Sequence, residues 1–186
     1  MTREELEHVI RAAADVVDDD LIVVGSQAIL GQHPDAPDSM LISQEADVFP
    51  RTDPAAAIEI DGAIGDGSQF HRTYGYFAHG VGPETATLPD GWEGRLVRVR
   101  VPVLPRGETQ VTAWCLESHD LIVSKCVANR DRDWAYVEEA LAHKLVRLDV
   151  LRRRVRKLPI AEEERDRVRA MLDSMRPGAK VPFRHG

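Results

Sequence analysis

The sequence predicts an α+β fold, with a mixed sheet flanked by helices over residues 1–116 and a helical C-terminal part, 117–186, packed on it. Three observations predict it. Leu21 to Val24 is continuously apolar, the pattern of a strand covered on both faces. Leu96 to Val103 and Gln110 to Cys115 alternate like antiparallel strands. From Glu117 to about Met175 the apolar spacing is helical, interrupted near Asn129, at 147–149 and at Pro159.

The elements follow in order. Thr2 and Glu5 have capping-box spacing, and Leu6, Val9, Ile10, Ala13, Val16 and Val17 recur on one face of an opening helix. Asp18-Asp19-Asp20 breaks it. Gly25-Ser26 ends the apolar strand, and Gln27 to Gly31 reads as a short helix. Pro34 and Pro37 make 32–38 a loop. A strand carrying Glu45 and Asp47 comes next. Asp53-Pro54 then supplies an N-cap and a first-turn proline for a helix through about Gly62. Residues 62–94, rich in glycine and proline, read as loop and short strand. Pro105-Arg106-Gly107-Glu108 is the expected turn between the two alternating strands.

Composition narrows the function classes. The 186 residues are 43% hydrophobic and 30% charged, enough for one cored domain, and no apolar run approaches a membrane span. The acidic, amphipathic N-terminus is unlike a targeting peptide, which places the protein in the cytoplasm and not in a membrane. Cys115 and Cys126 form no Cys-x-x-Cys pair and read as buried apolar residues, and the seven histidines show no metal-binding spacing. A net charge of −7 argues against indiscriminate nucleic-acid binding. The basic stretch from Lys144 to Lys157 stands out locally. Its Arg152-Arg153-Arg154 run is either a grip on RNA or a solvated face balanced by Glu162, Glu163, Glu164 and Asp166.

The chemistry sits early in the chain. On a strand, residues i and i+2 point the same way, so Glu45 and Asp47 project together, roughly 7 Å apart at Cβ. Two such carboxylates can converge on a divalent cation. A Gly-Ser turn opening a helix offers backbone N–H groups to a phosphate. Together they suggest metal-assisted transfer chemistry on a nucleoside triphosphate.

Gly25, Ser26, Glu45 and Asp47 resemble the signature of the DNA-polymerase-β-like nucleotidyltransferase superfamily, in which a strand, a Gly-Ser turn and a short helix precede an acidic-x-acidic strand. LPDGWEGRLVRV and CLESHDLIVSKCVANRDRDWAYVEEAL look like segments of small bacterial nucleotidyltransferase-like proteins, and more distantly of AbiEii and MenT-type toxins. In those toxins a lysine on one helix precedes a basic-acidic pair opening the next, matched here by Lys125 and by Arg132-Asp133. The resemblance runs from about residue 20 to 145. It implies Mg²⁺ (or Mn²⁺) as cofactor, transfer of a nucleoside monophosphate to a tRNA 3′ end or a protein hydroxyl, and a cognate antitoxin as partner. Two features depart from it: Glu45 stands where aspartate is usual, and the later strands offer Arg98 and Arg100 but no third carboxylate. Asp133 is then the expected substitute.

In this reading Glu45 and Asp47 hold the metal, and Gly25 and Ser26 approach a phosphate while Ser26 caps the following helix. Ser43, Gln44, Lys125 and Arg132 line the nucleotide site, and Asp133 helps activate the acceptor hydroxyl. Each has a plainer reading. The acids can be a solvated strand edge, Lys125 can snorkel to water, and Asp133 (or its rival Asp131) can be a routine helix-start charge. Trp92, Trp114 and Trp134 read as core or interface residues. The rival function is a catalytically inactive binding protein or antitoxin-like partner that keeps the same fold.

Overall fold

Helix α1 (Arg3–Val17) starts where the sequence expects. Thr2 Oγ1 accepts from Glu5 N at 3.2 Å, and Glu5 Oε2 accepts from Thr2 N at 2.6 Å, satisfying two N–H groups of the first turn. Leu6, Val9, Ile10 and Ala13 are buried, while Val16 and Val17 are only half-buried. The structure, a computed structural model, describes residues 1–103 and 110–175; the expected turn Pro105-Arg106-Gly107-Glu108 lies outside the described residues.

All four residues of β1 (Leu21–Val24) are buried, because β1 is the middle strand of five. The order is β3-β2-β1-β5-β4. β2 (Glu45–Pro50) runs antiparallel to β1, and β3 (Phe77–Gly80) runs parallel to β2. On the other side, β5 (Gln110–Cys115) is parallel to β1 and β4 (Val97–Pro102) antiparallel to β5. The sheet is mixed, as expected. Its register aligns Val24, Asp47 and His79 across three adjacent strands.

Between β2 and β3 the chain makes the crossover that a parallel pair requires. Asp53 Oδ1 accepts from Ala55 N at 3.2 Å and starts a 3₁₀ turn (Pro54–Ala56) leading into α2 (Ala57–Ile64). Helix α3 (Gln69–Tyr74) falls in the stretch read as loop and short strand. Six residues are too few to show a helical period; the available signals were Ser68, whose hydroxyl accepts from His71 N at 3.0 Å, and Gly75, left-handed at φ 79°. Since β3 and β4 sit at opposite edges, residues 81–96 must cross the sheet, and they do so with two short 3₁₀ turns, Pro83–Thr85 and Trp92–Arg95.

The C-terminal helices are α4 (Ser118–Ala128), α5 (Asp131–Ala142), α6 (Leu148–Val155) and α7 (Glu162–Ser174). Asn129 closes α4 in the left-handed conformation, φ 55°, which asparagine tolerates. Their buried side chains, Leu121, Val137, Leu151 and Leu172 among them, join those of α1 and the sheet in one apolar core. A buried ion cluster adds to it. Asp120, fully buried, accepts from Arg95 Nε at 2.7 Å and lies 3.0 Å from Arg154 Nε, the latter off the hydrogen-bond direction. Burial pushes the Asp120 carboxyl up against the pull of both arginines.

The arginine run is neutralised, but not by the acids expected. Arg152 pairs with Asp173, Arg153 with Asp149 and Arg154 with Asp120. Glu162, Glu164 and Asp166 serve Arg165, Arg167 and Arg169 on their own helix, because i,i+3 partners are nearest. Trp134 is buried, and Trp92 and Trp114 are partly so.

Candidate functional site

Strand β1 ends against the carboxylate of Asp47. Gly25 takes φ 63° and ψ −166°, a backbone region open essentially to glycine alone. A Cβ there would stand 2.0 Å from Asp47 Oδ2 and 2.9 Å from its Cγ. Glycine at 25 therefore makes room for an acid, and it also lines the cleft where a phosphate was expected. Ser26 opens the 3₁₀ turn Ser26–Gly31, but that turn is capped at Gly25 without any side-chain hydrogen bond, so the expected Ser26 cap is not made. The Ser26 carbonyl instead accepts from the Tyr136 hydroxyl at 2.8 Å, tying α5 to the end of β1.

Glu45 and Asp47 do share one face, and a third group joins them. His79 faces Asp47 across the β2–β3 ladder, with Nδ1 3.0 Å from Oδ1. Ligand atoms of Glu45, Asp47 and His79 all lie within 4.8 Å of one another, the only such grouping of three among the described residues. Residue spacing could not reveal His79, because a neighbouring strand delivers it and nothing near it in sequence repeats. Its one sequence signal is the alternation within FAHG, which sends Ala78 inward and His79 outward.

Asp133 does not join that cluster, contrary to the expectation of a substitute third acid. Only 1% exposed, it accepts from Arg130 Nε at 2.5 Å and from Lys125 Nζ at 3.3 Å. Arg130, and not Arg132, is its basic partner, because i,i+3 on the first turn of α5 puts Arg130 beside it. Burial works upward on the Asp133 carboxyl, but the Arg130 hydrogen bond and the Lys125 charge outweigh it and hold the group below its ordinary value. Lys125 is shifted down as well, which for a base disfavours the charged form. Burial lowers it, and Asp133 only partly restores it. The ammonium also lies 4.7 Å over the Tyr136 ring. Lys125 thus has an internal partner and neither snorkels nor stands free.

These groups face one cleft of about 680 Å³. Glu45, Asp47 and His79 form one part of its wall, and Lys125, Arg130, Arg132, Asp133 and Tyr136 another. Gly25, Ser26 and Ser43 also line it. Ser43 Oγ accepts from Glu45 N at 3.2 Å and so braces the start of β2. Gln44 points elsewhere: exposed and outside the cleft wall, it contributes a backbone carbonyl that accepts from Phe77 N at 3.0 Å. A cleft lined by the strand carboxylates Glu45 and Asp47 and by Lys125, Arg130 and Arg132 suits a cation bound to a polyphosphate. A smaller hollow of about 360 Å³ at the far end of β1 has two of its three acids engaged, Asp19 Oδ2 by Thr52 and Asp20 Oδ2 by Trp114 Nε1.

Residues 2–176 match the family described as "Nucleotidyltransferase of unknown function (DUF6036)", and the protein belongs to that family. Neither the curated proteins nor the solved structures gave a match. Among the described residues no helix is long and apolar enough to cross a membrane.

Proposed function

We propose that the protein is a metal-dependent nucleotidyltransferase that moves a nucleoside monophosphate from a nucleoside triphosphate to an acceptor hydroxyl. The observation that carries this is one cleft holding Glu45 and Asp47 together with Lys125 and Arg130. The donor set fits a hard divalent cation such as Mg²⁺ or Mn²⁺: two carboxylates, with Gly25 leaving Asp47 the space to turn toward it. Glu45 and Asp47 would hold it. When bound, the ion offsets charge on the triphosphate and aligns in-line displacement.

The chain's own residues do the rest. Lys125 and Arg130 meet the β- and γ-phosphates, and Asp133 holds both cations in place as a positioning residue. The acceptor oxygen bonds to the α-phosphorus while the bond to the bridging oxygen breaks and pyrophosphate leaves. The hydroxyl proton passes to water in the open part of the cleft. The lysine and basic-acidic pair by which the sequence resembles AbiEii and MenT-type toxins would make the acceptor a tRNA 3′ end or a protein hydroxyl, with a cognate antitoxin as restraint.

The test is transfer from α-labelled nucleoside triphosphates to total cellular RNA or protein, with Mg²⁺ and with Mn²⁺. Wild type transfers label, and Asp47→Asn, with an unchanged circular dichroism spectrum, does not. Equal labelling by both rejects the site. Calorimetric binding of the metal–nucleotide complex without transfer to any acceptor would leave the inactive, partner-protein reading standing instead.

A further inference from the structure

His79 is the unabsorbed residue of the cleft. Nothing in the family description assigns it, and it lies beside Asp47 for a reason of register: β3 is parallel to β2, with position 79 opposite position 47. The geometry points to His79 Nδ1 as a third metal ligand, making the site selective for a first-row transition ion over Mg²⁺. This inference rests on the metal-assisted reading above.

Distance supports it first. Cis ligands of an octahedral ion with bonds of about 2.1 Å lie about 3.0 Å apart, and Nδ1 and Oδ1 are 3.0 Å apart. The two atoms already span one edge of a coordination octahedron. Glu45, exposed and within 4.8 Å of both, can swing to close a face of three. Access supports it next. The His79 side chain is 49% exposed and the Asp47 side chain 20%, so an ion and its remaining waters reach both from the cleft. Asp47 Oδ2 points back toward Gly25, where no side chain competes for it.

The donor chemistry then sets the preference. Mg²⁺ takes oxygen ligands and sheds water reluctantly, whereas imidazole nitrogen suits transition ions. Two carboxylates and one imidazole form a mixed set that Mn²⁺ accepts in octahedral geometry. Ligation through Nδ1 uses that nitrogen's lone pair and leaves the ring's one proton on Nε2.

The experiment uses the full chain and Mn²⁺ as probe, with and without inorganic triphosphate, which contains no nitrogen of its own. Electron paramagnetic resonance counts bound Mn²⁺, and electron spin echo modulation reports ¹⁴N coupled to it. Wild type should bind Mn²⁺ at least tenfold more tightly than Mg²⁺ in competition and show ¹⁴N coupling. His79→Asp should keep the fold, lose the ¹⁴N signal and bring the two affinities to within about threefold. Bound Mn²⁺ without ¹⁴N coupling in wild type overturns the His79 assignment and leaves the transferase reading intact. Coupled Mn²⁺ in a protein that transfers no label does the reverse. Absence of Mn²⁺ binding under both conditions overturns both.

Discussion

Replacing Gly25 by alanine tests whether the end of β1 is shaped around Asp47. The new Cβ would stand 2.0 Å from Oδ2, where ordinary contact begins at 3.4 Å, so the oxygen must retreat by roughly 1.4 Å. Metal–ligand distances tolerate only about 0.2 Å. Oδ1 belongs to the same rigid carboxylate as Oδ2, so a retreat of that size also shifts Oδ1 from its place 3.0 Å from His79 Nδ1. Separately, a side chain at φ 63° and ψ −166° costs about 1–3 kcal/mol of backbone strain. For a chain of this size, about 2 kcal/mol lowers Tm by roughly 4–8 °C. Differential scanning calorimetry reads the stability change, and Mn²⁺ titration reads the ligand. In an Asp47→Ala background only the Cβ remains, 3.2 Å away, so Gly25→Ala should then cost the backbone share alone. The reasoning is refuted if Gly25→Ala melts within a degree of wild type and binds Mn²⁺ as tightly.

The remaining predictions concern buried charge and buried sulfur. Lys125→Met leaves Asp133 one cation instead of two in a site 1% exposed, and urea unfolding should show a loss of about 3 kcal/mol, much of it recovered in Lys125→Met/Asp133→Leu. Because the folded-state pKa of Asp133 lies below its unfolded value of 3.8, its contribution is complete above the carboxylate range and fades as pH falls through the folded value. Wild type should therefore lose its stability advantage over Asp133→Asn on acidification, and a constant advantage from neutral pH to pH 2 contradicts the ion-paired carboxylate. Cys115 and Cys126 are buried, with burial pushing both thiols up to about 12, so a disulfide-exchange reagent at neutral pH should label neither until the protein unfolds.

Several elements were legible because their causes are local. The capping box of α1, the doubly covered β1, the alternation of β4 and β5 and the breaks between the C-terminal helices all follow from a few adjacent residues. The joint projection of Glu45 and Asp47 is of the same kind, since a strand's two-residue period fixes it whatever surrounds the strand. Helix α3 escaped because one and a half turns carry too little periodicity beside three nearby glycines.

Tertiary structure decided who meets whom. His79 reaches Asp47 only because β3 pairs in parallel with β2 in one register, and a one-residue slip would turn it to the other face. Asp133 became the anchor of Lys125 and Arg130, apart from the Glu45–Asp47–His79 cluster, because packing of α4 against α5 removed water from it. Gly25 answers to a carboxylate that only the antiparallel β1–β2 ladder brings within reach. The sequence by itself determined the elements and the two acids, through interactions a few residues long. Which cation each acid faces, and which histidine stands beside Asp47, depended on strand order and helix docking, for which the chain carries no local mark.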